Sequence, residues 1–215
     1  MPGSLLKFVK TLSVKIGGRR YPVTKIGNQL WMAENLDYKF DVNGSQIPIG
    51  GSSQPTTPHA WYYENNKNKY GIDGTYKCGL IYNWYAVKYL NDNKATLLPN
   101  GWHVPTESDW NSLTTCIGAS TAGTKLKALD NSITDSWPSG WNGTDDYGFS
   151  EVPGGYYDGG FYGDGVNIRV WTADEDTSST NKAYDRVFNF SSATVSNGWI
   201  NKKDGDYLRL VKSLT

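Results

Sequence analysis

Cysteine, histidine and long apolar runs are scarce in this chain, and each scarcity excludes something. Two cysteines among 215 residues, Cys78 and Cys116, allow one disulfide but no disulfide framework, so the redox compartment stays open. His103 is one of only two histidines and has no Ser or Cys nucleophile motif beside it. Its expected role is therefore structural hydrogen bonding, and no catalytic residue is assigned. No segment approaches the length that spans a bilayer. In residues 1–15 the apolar positions are interrupted by Lys7 and Lys10, so the continuous apolar core of a secretory signal is missing. An excess of charge of one sign is missing too. Lys and Arg number 21 and Asp and Glu number 21, with no basic stripe, which argues against a nucleic-acid partner.

What is present is aromatic area and turn chemistry. The chain holds 9 Trp, 15 Tyr and 24 Gly. Trp and Tyr bury enough surface to build a core at a modest aliphatic content. The Gly, Asn, Ser and Asp residues predict a loop-rich domain. The length suits a single domain over residues 14–215, preceded by an arm, residues 1–13, that either frays or docks in assembly. The second case leaves a homo-oligomer open.

Val14-Lys15-Ile16, residues 21–26 and residues 29–32, separated by Gly17-Gly18 and Gly27-Asn28, read as a three-strand meander. Residues 38–75 are polar, with Pro48, Pro55 and Pro58, and read as a long loop insertion that makes a surface excursion. Residues 80–90 are apolar on nearly every side and predict a core helix. Pro99-Asn100-Gly101 is a turn, Val104 before Pro105 is pushed toward extended backbone, and Thr106 reads as an N-cap with Asp109 three residues on. Trp110, Leu113 and Ile117 give the following helix one apolar face, and Trp102 and His103 are expected to pack as scaffold. A short third helix is expected over residues 124–129. Short strands are expected over residues 186–190, 193–195, 198–200 and 207–211. Strands, two main helices, long loops and a closing antiparallel sheet make the class α+β.

Several stretches resemble the Fibrobacter succinogenes major paralogous domain. They are Val14-Lys15-Ile16-Gly17, Ile26-Gly27-Asn28-Gln29-Leu30-Trp31-Met32-Ala33-Glu34-Asn35-Leu36, Cys78-Gly79-Leu80-Ile81-Tyr82-Asn83-Trp84 and Gly101-Trp102-His103-Val104-Pro105-Thr106, followed by Gly143-Thr144-Asp145-Asp146-Tyr147-Gly148-Phe149-Ser150, Pro153-Gly154-Gly155, Trp171-Thr172, Ala183-Tyr184 and Leu208-Arg209-Leu210-Val211. The resemblance implies a C-type-lectin-like fold of the formylglycine-generating-enzyme type, with two helices flanking a small twisted antiparallel sheet and much irregular chain. Many relatives carry cysteines where this chain has Leu98 and Leu210, which implies that a disulfide contact is kept here as packing. Formylglycine-generating activity is not expected, because those enzymes bind copper through a cysteine pair late in the chain and no cysteine follows Cys116. The sugar-binding calcium motifs of true C-type lectins are also missing, Trp141-Asn142 being followed by Gly143. Oxygen donors for calcium could be gathered from Asp158, Asp164 and nearby carbonyls, but their spacing does not specify a site, so no cofactor is expected.

The expected function is ligand recognition without catalysis. The loops around Tyr156, Tyr157, Asp158, Asn167, Arg169, Asp174, Asp176 and Tyr184 combine rigid aromatics with adaptable polar groups, as paratopes do. The fold also resembles the variable proteins of diversity-generating retroelements, which implies a phage tail-tip or cell-surface adhesin binding a protein or glycan. Trp171, Phe188 and Phe190 are expected in the core instead. Two other readings stay open: a hydrolytic, for example carbohydrate-active, enzyme using carboxylates in an aromatic cleft, and a structural assembly module.

Overall fold

The computed structural model describes residues 12–129, 137–138 and 143–214. The N-terminal arm, apart from Leu12 and Ser13, and Trp141-Asn142 lie outside the described residues. The strands, in chain order, are β1 (Ser13–Ile16), β2 (Arg19–Ile26), β3 (Gln29–Met32), β4 (Asp41–Val42), β5 (Ser45–Gln46), β6 (Ala60–Trp61), β7 (Ile81–Asn83), β8 (Trp102–His103), β9 (Gly154–Tyr157), β10 (Phe161–Asp164), β11 (Asn167–Glu175), β12 (Lys182–Asn189), β13 (Ser196–Asn201), β14 (Gly205–Asp206) and β15 (Val211–Ser213). The α-helices are α1 (Lys67–Tyr70), α2 (Trp84–Asp92), α3 (Lys94–Leu97), α4 (Glu107–Ile117) and α5 (Ala122–Leu126).

The expected meander forms as β1, β2 and β3, its first turn made by Gly17 and Gly18 at φ 55 and 88, values that disfavour residues with a Cβ. The last strand, β15, then pairs antiparallel with β3, and β8 pairs with β15, giving the sheet order β1-β2-β3-β15-β8. A second sheet runs β13-β12-β11-β9-β14-β7-β6, with β10 added on β9. Its spine is the long β11–β12 hairpin, in which Arg169 faces Val187 and Trp171 faces Asp185. This is an α+β domain with few helices and curled antiparallel sheets. Among the described residues no helix is long and apolar enough to cross a membrane.

Residues 207–211, read as one strand from their alternation, instead hand the chain from one sheet to the other. Tyr207 exchanges backbone hydrogen bonds with Arg169 and Trp171, while the carbonyls of Leu208 and Leu210 accept from Leu36 and Met32. Each residue is satisfied by a different element, so no continuous ladder forms until β15. Residues 193–195 are likewise irregular, bent backbone and not a strand. The expected helix over residues 80–90 divides. Ile81–Asn83 is strand β7, and the Asn83 side chain accepts from the Ala86 N–H at 3.0 Å to cap α2. A short, wholly apolar run has no period to separate a buried strand from a buried helix.

The region over residues 38–75 is not a superficial excursion. It buries Phe40, Ile47, Trp61, Tyr62, Tyr63, Tyr70 and Ile72. Its polar average hid a few large aromatics, each worth several smaller apolar residues in buried area. Around Thr106 the sequence reading holds in detail. Thr106 accepts from the Asp109 N–H, Asp109 accepts in return from the Thr106 N–H, and Trp110, Leu113 and Ile117 are buried. Trp171 and Phe188 are fully buried as expected, whereas Phe190 is half-buried. Leu98 and Leu210 lie in the same core cluster, in keeping with a contact maintained by packing. Cys78 is buried and Cys116 exposed, and no disulfide joins them.

Candidate binding surface

Trp102 and His103 sit where the sequence places them, as scaffold on β8. His103 Nδ1 lies 3.2 Å from the Gly101 carbonyl and Nε2 3.2 Å from Asp109 Oδ2. Both ring nitrogens face acceptors, so the imidazolium fills both contacts. The hydrogen bond to Asp109 accordingly raises the His103 imidazole above its ordinary value, against burial. Burial pushes Asp109 up, but hydrogen bonds from His103 and Thr106 outweigh it and hold this carboxyl at about 2. A cleft of about 490 Å³ beside His103 is lined by Lys94, Leu98, Pro99 and Trp102.

The pair predicts a pH profile. A raised His stabilises fully below its unfolded value of about 6.5 and loses that contribution as pH rises through the folded value; Asp109 loses its own only as pH falls toward 2. His103→Gln should therefore lower stability by about 0.5–1 kcal/mol near pH 5 and by less near pH 8. Urea midpoints at the two pH values check this, and an equal loss at both would remove His103 from the account.

The residues expected to bind do not share one surface. Alternation along β11 and β12 sends Asn167, Arg169, Trp171 and Asp185 to one face and Tyr184 to the other. Tyr157 is only 1% exposed and stacks on Trp61 at 4.4 Å, so it belongs to the core. Asp176 is also buried, accepting from the Ser178 N–H and hydroxyl in a local turn. Asp174 accepts from the Glu107 N–H at 2.6 Å, stabilising the start of α4. Burial of Tyr157 and Asp176 departs from the exposure the sequence reading expected, whereas Asp174 is half-buried. Asp158 and Asp164, the suggested calcium ligands, lie at opposite ends of the β9–β10 hairpin, and the Tyr70 hydroxyl donates to Asp164. Among the described residues no group of three or more His, Cys, Asp or Glu is arranged to hold a metal.

Tyr156, Asp158, Asn167 and Arg169 fall on the β9–β10–β11 face or at its end. Tyr156 and Tyr162 are cross-strand partners with ring centroids 6.0 Å apart, and Tyr162 is 52% exposed. The Arg169 guanidinium lies 5.3 Å above the Tyr156 ring, and its Nη2 donates to the Trp199 carbonyl at 3.2 Å. Trp199, 55% exposed, is cross-strand from Tyr184 and carries Lys182 Nζ over its ring, so it extends the aromatic area around the β13 edge onto the opposite face.

Sequence reading placed Tyr162 in a binding stretch without singling it out and Trp199 only in a strand, and it missed an acidic floor beneath Arg169. Arg169 Nε donates to Asp185 Oδ2 at 2.5 Å and stands 3.9 Å from Asp206 Oδ2. Burial pulls this guanidinium down, but Asp206 and Asp185 outweigh it and raise it. Burial, then the Asp185 charge, pushes Asp206 well above the usual carboxylate range. Burial and Asp158 push Asp204 up to about 6, and Gln54 donates to Asp204 from the segment read as an insertion. At Gly198 a Cβ would sit 2.2 Å from Asp185 Oδ1, so this glycine makes room for the carboxylate. No local pattern marks these acids, because strand pairing creates their burial. The two exposed aromatics did carry a signal, each being a large aromatic within a short strand bounded by turn residues.

Fold and surface together define a helix-poor α+β domain whose aromatic, charge-dressed strands remain open to solvent. Residues 24–212, from β2 to β15, match the family model described as the Fibrobacter succinogenes major domain, and the chain belongs to that family. Comparison with curated proteins and with solved structures gives no match.

Proposed function

We propose that this domain is a non-enzymatic recognition module of C-type-lectin-like fold, displayed on a bacterial surface or a phage tail tip, that binds a protein or glycan through the β9–β10–β11 face. The observation that carries this reading is the exposed Tyr162 ring beside Tyr156, with Arg169 over the Tyr156 ring. Aromatic rings beside a partly exposed guanidinium offer apolar area and directional donors at low entropic cost. Binding of wild-type protein to a glycan array and to intact bacterial cells tests it. Tyr162→Ala and Tyr156→Ala should each weaken binding about tenfold or more, as hot-spot truncations do. Binding that survives both changes would move the site elsewhere. On the parallel with the variable proteins of diversity-generating retroelements, substitutions among natural isolates should concentrate at Tyr156, Asp158, Asn167 and Tyr162 and spare Tyr157.

One observation favours the second reading, a carboxylate enzyme: Asp204 stands near Asp206, which meets Asp185 at Arg169. Asp185 and Asp206 are, however, fully buried against Arg169, which suits a support better than an acid–base pair. Hydrolysis of model glycosides that disappears in Asp204→Asn would favour the enzyme.

A further inference from the structure

Two fully buried carboxyl groups meet one cation beneath the binding face. Arg169 Nε is 2.5 Å from Asp185 and 3.9 Å from Asp206. Asp185 Oδ1 and both oxygens of Asp206 receive no donor among the described residues, although Asp206 is within hydrogen-bonding reach of Asp185. The groups facing them are few. Arg169 comes from β11 and Asp185 from β12. Tyr156 and the nearby Asp158 come from β9 and its turn, and Asp204 and Lys203 from the turn before β14. The neighbouring β13 brings Gly198 and the Trp199 carbonyl, and β7 brings Tyr82, whose hydroxyl donates to the Tyr38 carbonyl. Lys202 is committed to Glu175 and the Thr180 carbonyl, and Lys203 is exposed. Two ionised carboxylates would thus leave an uncompensated negative charge out of reach of water, which burial strongly disfavours. A proton on one of them cancels that charge and supplies the missing donor between them.

We infer that Asp185 and Asp206 share a single proton at neutral pH, and that this carboxyl–carboxylate pair, clamped by Arg169, is a pH-sensitive latch tying β14 to the β11–β12 hairpin. The proton belongs to the pair and not to one residue. Its loss at alkaline pH places two negative charges against Arg169 and loosens the corner from which residues 207–210 cross to the other sheet. Arg169 also lies over Tyr156, so the same event disturbs the exposed face. The inference stands whether or not that face binds a ligand.

Infrared difference spectroscopy on the full chain tests it near pH 8, where Asp204 is ionised. The wild type should show the C=O stretch of a protonated carboxylic acid that Asp206→Asn lacks. An acid that keeps its proton on folding makes stability fall as pH rises above its unfolded value, so the wild-type unfolding midpoint should fall between about pH 5 and 8. In Asp206→Asn, whose amide can donate permanently to Asp185, the midpoint should be higher near pH 8 and fall less. If Asp206→Asn does not fold, Asp185→Asn is compared in the same way, since Glu151 is a second buried acid and only a variant assigns the band. A wild type without a protonated-acid band, or a variant with an unchanged spectrum and pH profile, overturns the latch.

Discussion

Replacing Arg209 with alanine should lower stability by about 3–5 kcal/mol, the cost of leaving a buried ion pair with one partner. Arg209 lies in the crossing between the two sheets and is 1% exposed. Its Nε donates to Asn35 Oδ1 at 2.8 Å, its Nη2 to Glu151 Oε1 and the Ser150 carbonyl at 3.1 Å each, and its Nη1 to the Phe149 and Met32 carbonyls. One guanidinium therefore ties β3, the approach to β9 and the C-terminal segment together. Removing it strands the Glu151 carboxylate, which is fully buried and already pushed up by burial in spite of Arg209. The double change Arg209→Met with Glu151→Leu should recover much of the loss, because it leaves no lone buried charge. Urea denaturation of the single and double variants measures both effects. A loss below about 1 kcal/mol for Arg209→Ala would show that the guanidinium is dispensable.

Trp110→Ala should cost a similar amount, about 3–5 kcal/mol, by opening a cavity in the aromatic core. Trp110 is fully buried on α4, with its ring 4.7 Å from Trp31, 6.1 Å from Phe149 and 6.2 Å from Phe188. These rings come from β3, the segment before β9, and β12, so one side chain spans the contact between α4 and both sheets. Its indole N–H has no partner among the described residues. Trp110→Phe therefore gives up volume but no hydrogen bond, and about 1–2 kcal/mol is expected, as for partial large-to-small changes. Thermal unfolding of the two variants separates the cases. Equal losses would mean that the fit of the ring's far edge, not the ring itself, holds the helix.

The parts legible beforehand are those whose cause is local. Gly17-Gly18 must turn, Thr106 with Asp109 must start a helix, and Trp110, Leu113 and Ile117 must share one face, because backbone geometry within a few residues dictates each outcome. The candidate surface was legible by composition but not residue by residue. Tyr156 and Tyr157 are adjacent and chemically alike, yet one lies on the half-open face of β9 and the other is stacked beneath Trp61. Only the parity of the strand separates them, and a one-residue change of register would exchange them. The aromatics of residues 38–75 were misjudged for a related reason, their burial depending on distant strands such as β9, whose Tyr157 stacks on Trp61, and β10, whose Phe161 meets Tyr63.

By itself the sequence determined an α+β domain of this family, its N-terminal meander, its capped helix and an aromatic core in place of an aliphatic one. The tertiary structure alone decided which Tyr and Asp residues face water, and it produced the Arg169–Asp185–Asp206 cluster. β11 supplies the cation, β12 one acid and β14 the other, and none is unusual in its own segment. A carboxylate's behaviour depends on the water it loses and the charges it meets, and both are set only when these strands pair.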